Sequence, residues 1–129
     1  MWEDRPRKHQ PRVLLVEDAP FLRYAFGRLL RIHGFEVMEA NDGREALDCM
    51  ARFRPELVLT DLKMPVMDGI ELIRRLRSDH NTRSLPVVAI SADATEQTEQ
   101  EAREAGAVDF ISKPIDLPVL LERLRAIPI

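Results

Sequence analysis

Five strand-like segments, RVLLVED, FEVMEA, ELVLTD, LPVVAISA and VDFISKP, recur along this chain, each followed by a stretch of helical spacing. That alternation constrains the fold more than any other feature. Neighbouring parallel strands need a crossover, and a helix packed on one sheet face supplies it. The first segment is apolar without a polar alternate, as a strand buried on both faces must be. The reading is an α/β fold, a doubly wound five-stranded parallel sheet with five helices.

The helical stretches have distinct faces. In APFLRYAFGRLLRIHG, residues Leu22, Phe26, Leu29 and Leu30 form one stripe, with Pro20 in the first turn and Gly34 at the end. NDGREALDCMARF places Leu47, Met50 and Ala51 at helical spacing, and DGIELIRRLRSD turns Ile70, Ile73 and Leu76 inward with Arg74 and Arg77 toward water. DATEQTEQEAREAGA is helical by propensity but polar, offering only Ala94, Ala102 and Ala105 to a core. DLPVLLERLRAI is amphipathic and opened by Asp116.

A chain of 129 residues suits one domain with a real core. A net charge of -3 argues against nucleic-acid binding. The single cysteine, Cys49, excludes an internal disulfide and fits a reducing compartment. The opening MWEDRPRKHQPR is charged from its third residue and lacks an apolar signal region, and no run is long enough to span a bilayer. A cytoplasmic location is expected, with a flexible tail over 1–11 and the folded domain over 12–127. His9, His33 and His80 lack metal-ligand spacing and read as surface residues. Arg74, Arg75 and Arg77 read as a solvated face.

In doubly wound sheets ligands bind beyond the carboxyl ends of the strands. There the sequence places Glu17 and Asp18 after the first strand, Asp61 at the tip of the third, Ser91 on the fourth and Lys113-Pro114 after the fifth. Each carboxylate alone could be a solvated helix cap. Two charges about 5 Å apart at an effective dielectric of about 20 repel by roughly 3 kcal/mol, so three of them call for a cation. Lys113 supplies part, and a hard divalent ion such as Mg²⁺ would supply the rest. Carboxylate nucleophile, hydroxyl, ammonium and metal are the parts of a phosphoryl transfer to aspartate.

With these residues in place the chain resembles the receiver domains of two-component response regulators. LLVEDAPFLR, LVLTDLKMPVMDGIEL, VVAISA and AVDFISKPID carry the likeness, which covers about Pro11 to Ile127. The resemblance implies the flavodoxin-like strand order 2-1-3-4-5, which chemotaxis receivers share. It implies that Asp61 accepts a phosphoryl group from a sensor histidine kinase or a histidine phosphotransfer protein. Asp18, Asp61 and the carbonyl of Lys63 would bind Mg²⁺, with Glu17 nearby acting through water. Ser91 and Lys113 would contact phosphoryl oxygens, and the bond before Pro114 would be cis.

Lys63 and Asp93 occupy the positions that tune acyl-phosphate lifetime in the family. They are either two solvated charges or a pair that hinders the hydrolytic water. Ser91 and Phe110 stand where the family places its switch, and Phe110, lacking a hydroxyl, is either plain core or a packing switch. The resemblance implies readout by a protein target through helix four, strand five and helix five, without direct nucleic-acid or membrane contact, and admits a phosphorylation-linked homodimer. The chain would act only on itself, by phosphorylation and dephosphorylation. A haloacid-dehalogenase-like phosphohydrolase is disfavoured because Lys63 stands where a second carboxylate would be needed. An interaction module without phosphorylation is the other class. The chain stops just after the last helix, which fits a free-standing receiver, or the receiver of a longer regulator or hybrid kinase; Met1 suggests a natural start.

Overall fold

The computed structural model describes residues 10–129. Its elements run β1 (Arg12–Val16), α1 (Pro20–Ile32), β2 (Glu36–Ala40), α2 (Gly43–Phe53), β3 (Leu57–Asp61), α3 (Gly69–Ser78), β4 (Val87–Ser91), α4 (Glu96–Ala105), β5 (Asp109–Ser112) and α5 (Leu117–Arg125). The sheet order is β2-β1-β3-β4-β5, and every pairing is parallel. The doubly wound fold expected from alternation is therefore present. Most of the tail expected over 1–11, with His9, lies outside the described residues. Pro11 is buried, and its carbonyl accepts from the Glu36 N–H at 3.0 Å.

The continuous apolar strands are explained by two cores. Val13, Leu15, Leu57, Leu59, Val88 and Ile90 pack under Leu30 of α1 and Leu120, Leu121 and Leu124 of α5. Leu14, Val16, Val58, Val87 and Ala89 face Ala46, Cys49, Leu72, Ile73, Leu76 and Ala102 of α2, α3 and α4. Side chains alternate across each strand, so a run apolar at every position feeds both layers. Four helices are opened by a side chain that accepts a backbone N–H: Asp42 from Glu45, Asp68 from Glu71, Thr95 from Thr98 and Asp116 from Val119. α1 instead begins with Pro20, whose missing N–H needs no partner there.

Four inward assignments and one outward one need correction. On α1 the fully buried residues are Gly27 and Leu30, while Leu22 and Leu29 are exposed. The close β1–β2 side takes a helix face with no side chain at 27, so the larger apolar residues turn out. On α2 the buried positions are Gly43, Ala46 and Cys49; Leu47 and Met50 flank the core, and Ala51 is exposed. Ala94 precedes α4 and is exposed. Arg77 does not face water. Its Nη1 donates to the Leu85 carbonyl at 2.7 Å, and its Nη2 and Nε donate to the Gly106 carbonyl at 2.7 and 3.1 Å. Those bonds join the end of α3 to the turn before β5, and burial lowers the pKa of the guanidinium.

Candidate functional site

Strand order reverses beside β1, so the tips of β1 and β3 open onto the crevice where such folds bind ligands. Register then fixes which side chains meet. Asp61 lies opposite Ile90 and Ser91 opposite Ser112, so the ends of β3, β4 and β5 are level within a residue. Glu17 is held at the end of β1 by its N–H, which donates to the Ala40 carbonyl at 3.1 Å. The helix after Asp61 comes close because Gly69 has no Cβ. A methyl group there would collide with the Asp61 carbonyl and Leu62 Cα, and the Gly69 N–H donates to the Leu62 carbonyl at 2.8 Å.

The three carboxylates meet. One oxygen from each of Glu17, Asp18 and Asp61 lies within 4.8 Å of the others. Lys113 Nζ donates to Glu17 Oε1 at 2.7 Å and to Asp61 Oδ2 at 2.8 Å. Asp61 Oδ1 accepts from the Leu62 N–H at 2.7 Å and the Lys63 N–H at 3.3 Å. Glu17 Oε2 accepts from the Ala19 N–H at 3.1 Å. The peptide bond between Lys113 and Pro114 is cis, as the resemblance implied.

Burial drives the Glu17 pKa up, and the Asp61 charge adds to this; the Lys113 hydrogen bond opposes it without reversing it. For Lys113 burial acts downward, but the hydrogen bonds to Asp61 and Glu17 outweigh it and the pKa rises. Ammonium bound to two acids thus stays charged at neutral pH. One ammonium among three carboxylates leaves an excess of negative charge. All the donors are hard oxygens, a set that fits a small divalent cation better than a soft metal.

Around this centre lie the remaining residues. Ser91 is buried, its Oγ accepting from the Asp93 N–H at 3.0 Å and donating to the Asp93 carbonyl at 3.3 Å. Lys63 and Asp93, left open between solvation and pairing, form an ion pair at 3.4 Å, and Thr98 Oγ1 donates to the same Asp93 oxygen at 3.2 Å. Phe110 is buried in the layer that also holds Ala89 and Ala102. Sequence reading missed Thr60, whose buried hydroxyl donates to the Asp61 carbonyl at 2.8 Å. It also missed Arg23, whose Nη1 donates to the Glu17 carbonyl at 2.8 Å. Both act on backbone atoms, which leave no motif.

The response regulator receiver domain is the family whose sequence profile matches this chain, over residues 13–125. This chain belongs to that family. It is 34% identical over 114 residues to the polar-differentiation response regulator DivK of Brucella anthropi, covering 88% of this chain and 93% of DivK. It is 40% identical over 116 residues to the response regulator MprA of Mycolicibacterium vanbaalenii, covering 90% of this chain but 49% of MprA. The chemotaxis protein CheY4 of Vibrio cholerae superposes with a TM-score of 0.87 at 29% identity, over 93% of this chain and all of CheY4 (100%). The BeF3-activated receiver domain of Klebsiella pneumoniae RstA superposes with a TM-score of 0.81 at 32% identity, over 88% of this chain and 95% of that one. Among the described residues no helix is long and apolar enough to cross a membrane.

Proposed function

We propose that this receiver takes a phosphoryl group onto Asp61 from a phosphohistidine of a kinase or phosphotransfer protein and passes the signal on by protein contacts. The observation that carries the reading is the meeting of Glu17, Asp18 and Asp61, two of which, Glu17 and Asp61, bind the ammonium of Lys113. A carboxylate oxygen of Asp61 forms the new bond to phosphorus while the donor's N–P bond breaks, and the imidazole nitrogen keeps that electron pair. Asp18 and Asp61, with the Lys63 carbonyl, would hold Mg²⁺, and Glu17 would act nearby. Bound Mg²⁺ supplies positive charge to the phosphoryl oxygens. Lys113 offers a second cation at the same place, and Ser91 offers a donor once its hydroxyl turns from the Asp93 carbonyl.

That turn also suggests how the signal leaves. Ser91 ends β4, Phe110 packs on Ala89 from β5, and a shift at the first frees space for the second. The readout surface in this reading is α4, β5 and α5, with a protein target and a phosphorylation-linked homodimer as its outputs. α4 suits such a role, because Ala102 is its only fully buried residue. The BeF3-activated RstA neighbour supports an activated state of this fold, and the MprA match supports the receiver of a longer regulator as the second arrangement. Chemistry on an external substrate has no part in the proposal, and the proposed location is the cytoplasm.

The test is intact mass after incubation with acetyl phosphate, with and without Mg²⁺. One Mg²⁺-dependent phosphate adduct in the wild type, absent in Asp61→Asn, is the expected result. A folded protein that takes no phosphate from acetyl phosphate or from a purified histidine kinase would move the chain to the class of interaction modules.

A further inference from the structure

Asp18 is the least supported of the three carboxylates. Lys113 and the Ala19 N–H hold Glu17, and Lys113 with two backbone N–H groups holds Asp61. Among the described residues the carboxylate of Asp18 takes neither a hydrogen bond nor an ion pair. Where it stands is therefore set by its backbone, and one residue grips that backbone on both sides. The side chain of Arg23 donates from Nη1 to the carbonyl of Glu17 at 2.8 Å, and the main-chain N–H of Arg23 donates to the carbonyl of Ala19 at 2.9 Å. The carbonyls of the residues before and after Asp18 thus both end on Arg23, the first on its side chain and the second through the opening main-chain bond of α1.

Arg23 is itself oriented. Its Nη1 also donates to Asn41 Oδ1 at 3.1 Å, and its Nε lies 3.6 Å from Glu39 Oε1. Arg31 Nη1 donates to the other Glu39 oxygen at 3.1 Å, so Glu39 is pinned between two guanidiniums. Gly27 makes room for it, since a Cβ there would stand 2.7 Å from Glu39 Oε2. A planar guanidinium offers donors in a fixed fork to a carbonyl, an amide and a carboxylate together, where an ammonium is a compact charge without that preset geometry. The Arg23 side chain is 21% exposed and its contacts tie the turn after β1 to the end of β2, unlike an isolated surface ion pair.

We propose that Arg23 is the positioning residue of the acidic turn: through the Glu17 carbonyl it fixes the place of Asp18, and through that the affinity of the site for Mg²⁺. The inference rests on the reading of Glu17, Asp18 and Asp61 as a Mg²⁺ site. Residues that orient metal ligands from outside cost about 10- to 100-fold in metal affinity when removed.

The experiment is calorimetric titration of Mg²⁺ into wild type, Arg23→Ala, Arg23→Lys and Asn41→Ala, with thermal unfolding of each in chelator. Arg23→Ala is expected to weaken Mg²⁺ binding about tenfold. Arg23→Lys, which can still reach one carbonyl, should recover part of that loss. Asn41→Ala should weaken binding by a smaller factor, and it keeps the test open if Arg23→Ala does not fold. A lower melting temperature with an unchanged Mg²⁺ dissociation constant in both alanine variants would make Arg23 a purely structural residue and overturn the proposal. A wild type that binds no Mg²⁺ would instead overturn the metal reading itself, and this inference with it.

Discussion

Nζ of Lys113 stands 2.8 Å from Oδ2 of Asp61, although 52 positions separate the two in the chain. The same nitrogen reaches Glu17 at 2.7 Å, across 96 positions. One cation therefore ties the tips of β1 and β3 to the segment after β5. The arrangement is asymmetric, because removing the cation leaves two acids facing each other while removing one acid leaves a pair.

That asymmetry gives a pH prediction. The folded-state pKa of Glu17 lies above its ordinary value of 4.5, chiefly through burial. A raised carboxyl pKa contributes stability that is full below the unfolded value and lost as pH rises through the folded one. In chelator, wild type should lose that contribution as pH rises above 4.5, and Glu17→Gln should not. Urea unfolding between about pH 4 and pH 8 measures both curves. If they run parallel throughout, burial of Glu17 costs nothing and the assignment is wrong.

Lys63 and Asp93 make a different kind of pair. At 3.4 Å, with side chains 76% and 37% exposed, it contributes roughly 0–1 kcal/mol to folding. Its expected effect is kinetic, by standing over the path of the hydrolytic water. Lys63→Ala and Asp93→Ala should each shorten the acyl-phosphate half-life several-fold, and the double variant no further than the stronger single. Phosphate release followed after donor removal reads this directly. Unchanged half-lives in both single variants would return the pair to ordinary solvated charge.

Arg77 should behave in the opposite way, mattering for stability and not for chemistry. It satisfies the Gly106 carbonyl with two donors and the Leu85 carbonyl with a third. Charged hydrogen bonds of this kind contribute about 1.5–3 kcal/mol, so Arg77→Ala should destabilise by about 2 kcal/mol after allowance for water reaching the freed carbonyls. The urea midpoint should fall at constant m-value, with the phosphate yield from acetyl phosphate unchanged. A loss of phosphorylation without a loss of stability would contradict this assignment.

The two arginines mark the limit of what the sequence carries. The parallel doubly wound class and the edge that gathers Glu17, Asp18, Asp61, Ser91 and Lys113 were legible, because strand–helix alternation and strand tips are written in side chains; the strand order came from the family resemblance. Arg23 and Arg77 were not legible, because each serves backbone carbonyls whose direction depends on how α1 and α3 dock. The orientation of α1 was lost for a related reason. Its buried face centres on Gly27 and Leu30, and a glycine adds nothing to an apolar stripe.

The outward face of α1 yields the last prediction. Phe21, Leu22, Tyr24, Leu29 and Ile32 are five of the eight exposed large apolar residues among those described, and Phe21 is 80% exposed. Arg23, Arg28 and Arg31 are the only charges on the helix, so the face is apolar with a basic margin. Phe21 lies three residues beyond Asp18, at the sheet edge where a protein donor must present its phosphohistidine to Asp61. Apolar patches beside a reactive centre mark contact surfaces, and here the occupant required by the proposed function is that donor. Phe21→Asp should therefore reduce the rate of phosphotransfer from a histidine kinase or phosphotransfer protein at least tenfold, the equivalent of about 1.4 kcal/mol. Acetyl phosphate, too small to touch α1, should phosphorylate the variant at the wild-type rate. Equal slowing with both donors would mean that the substitution disturbs the acidic turn, and equal wild-type rates with both would remove α1 from the docking surface.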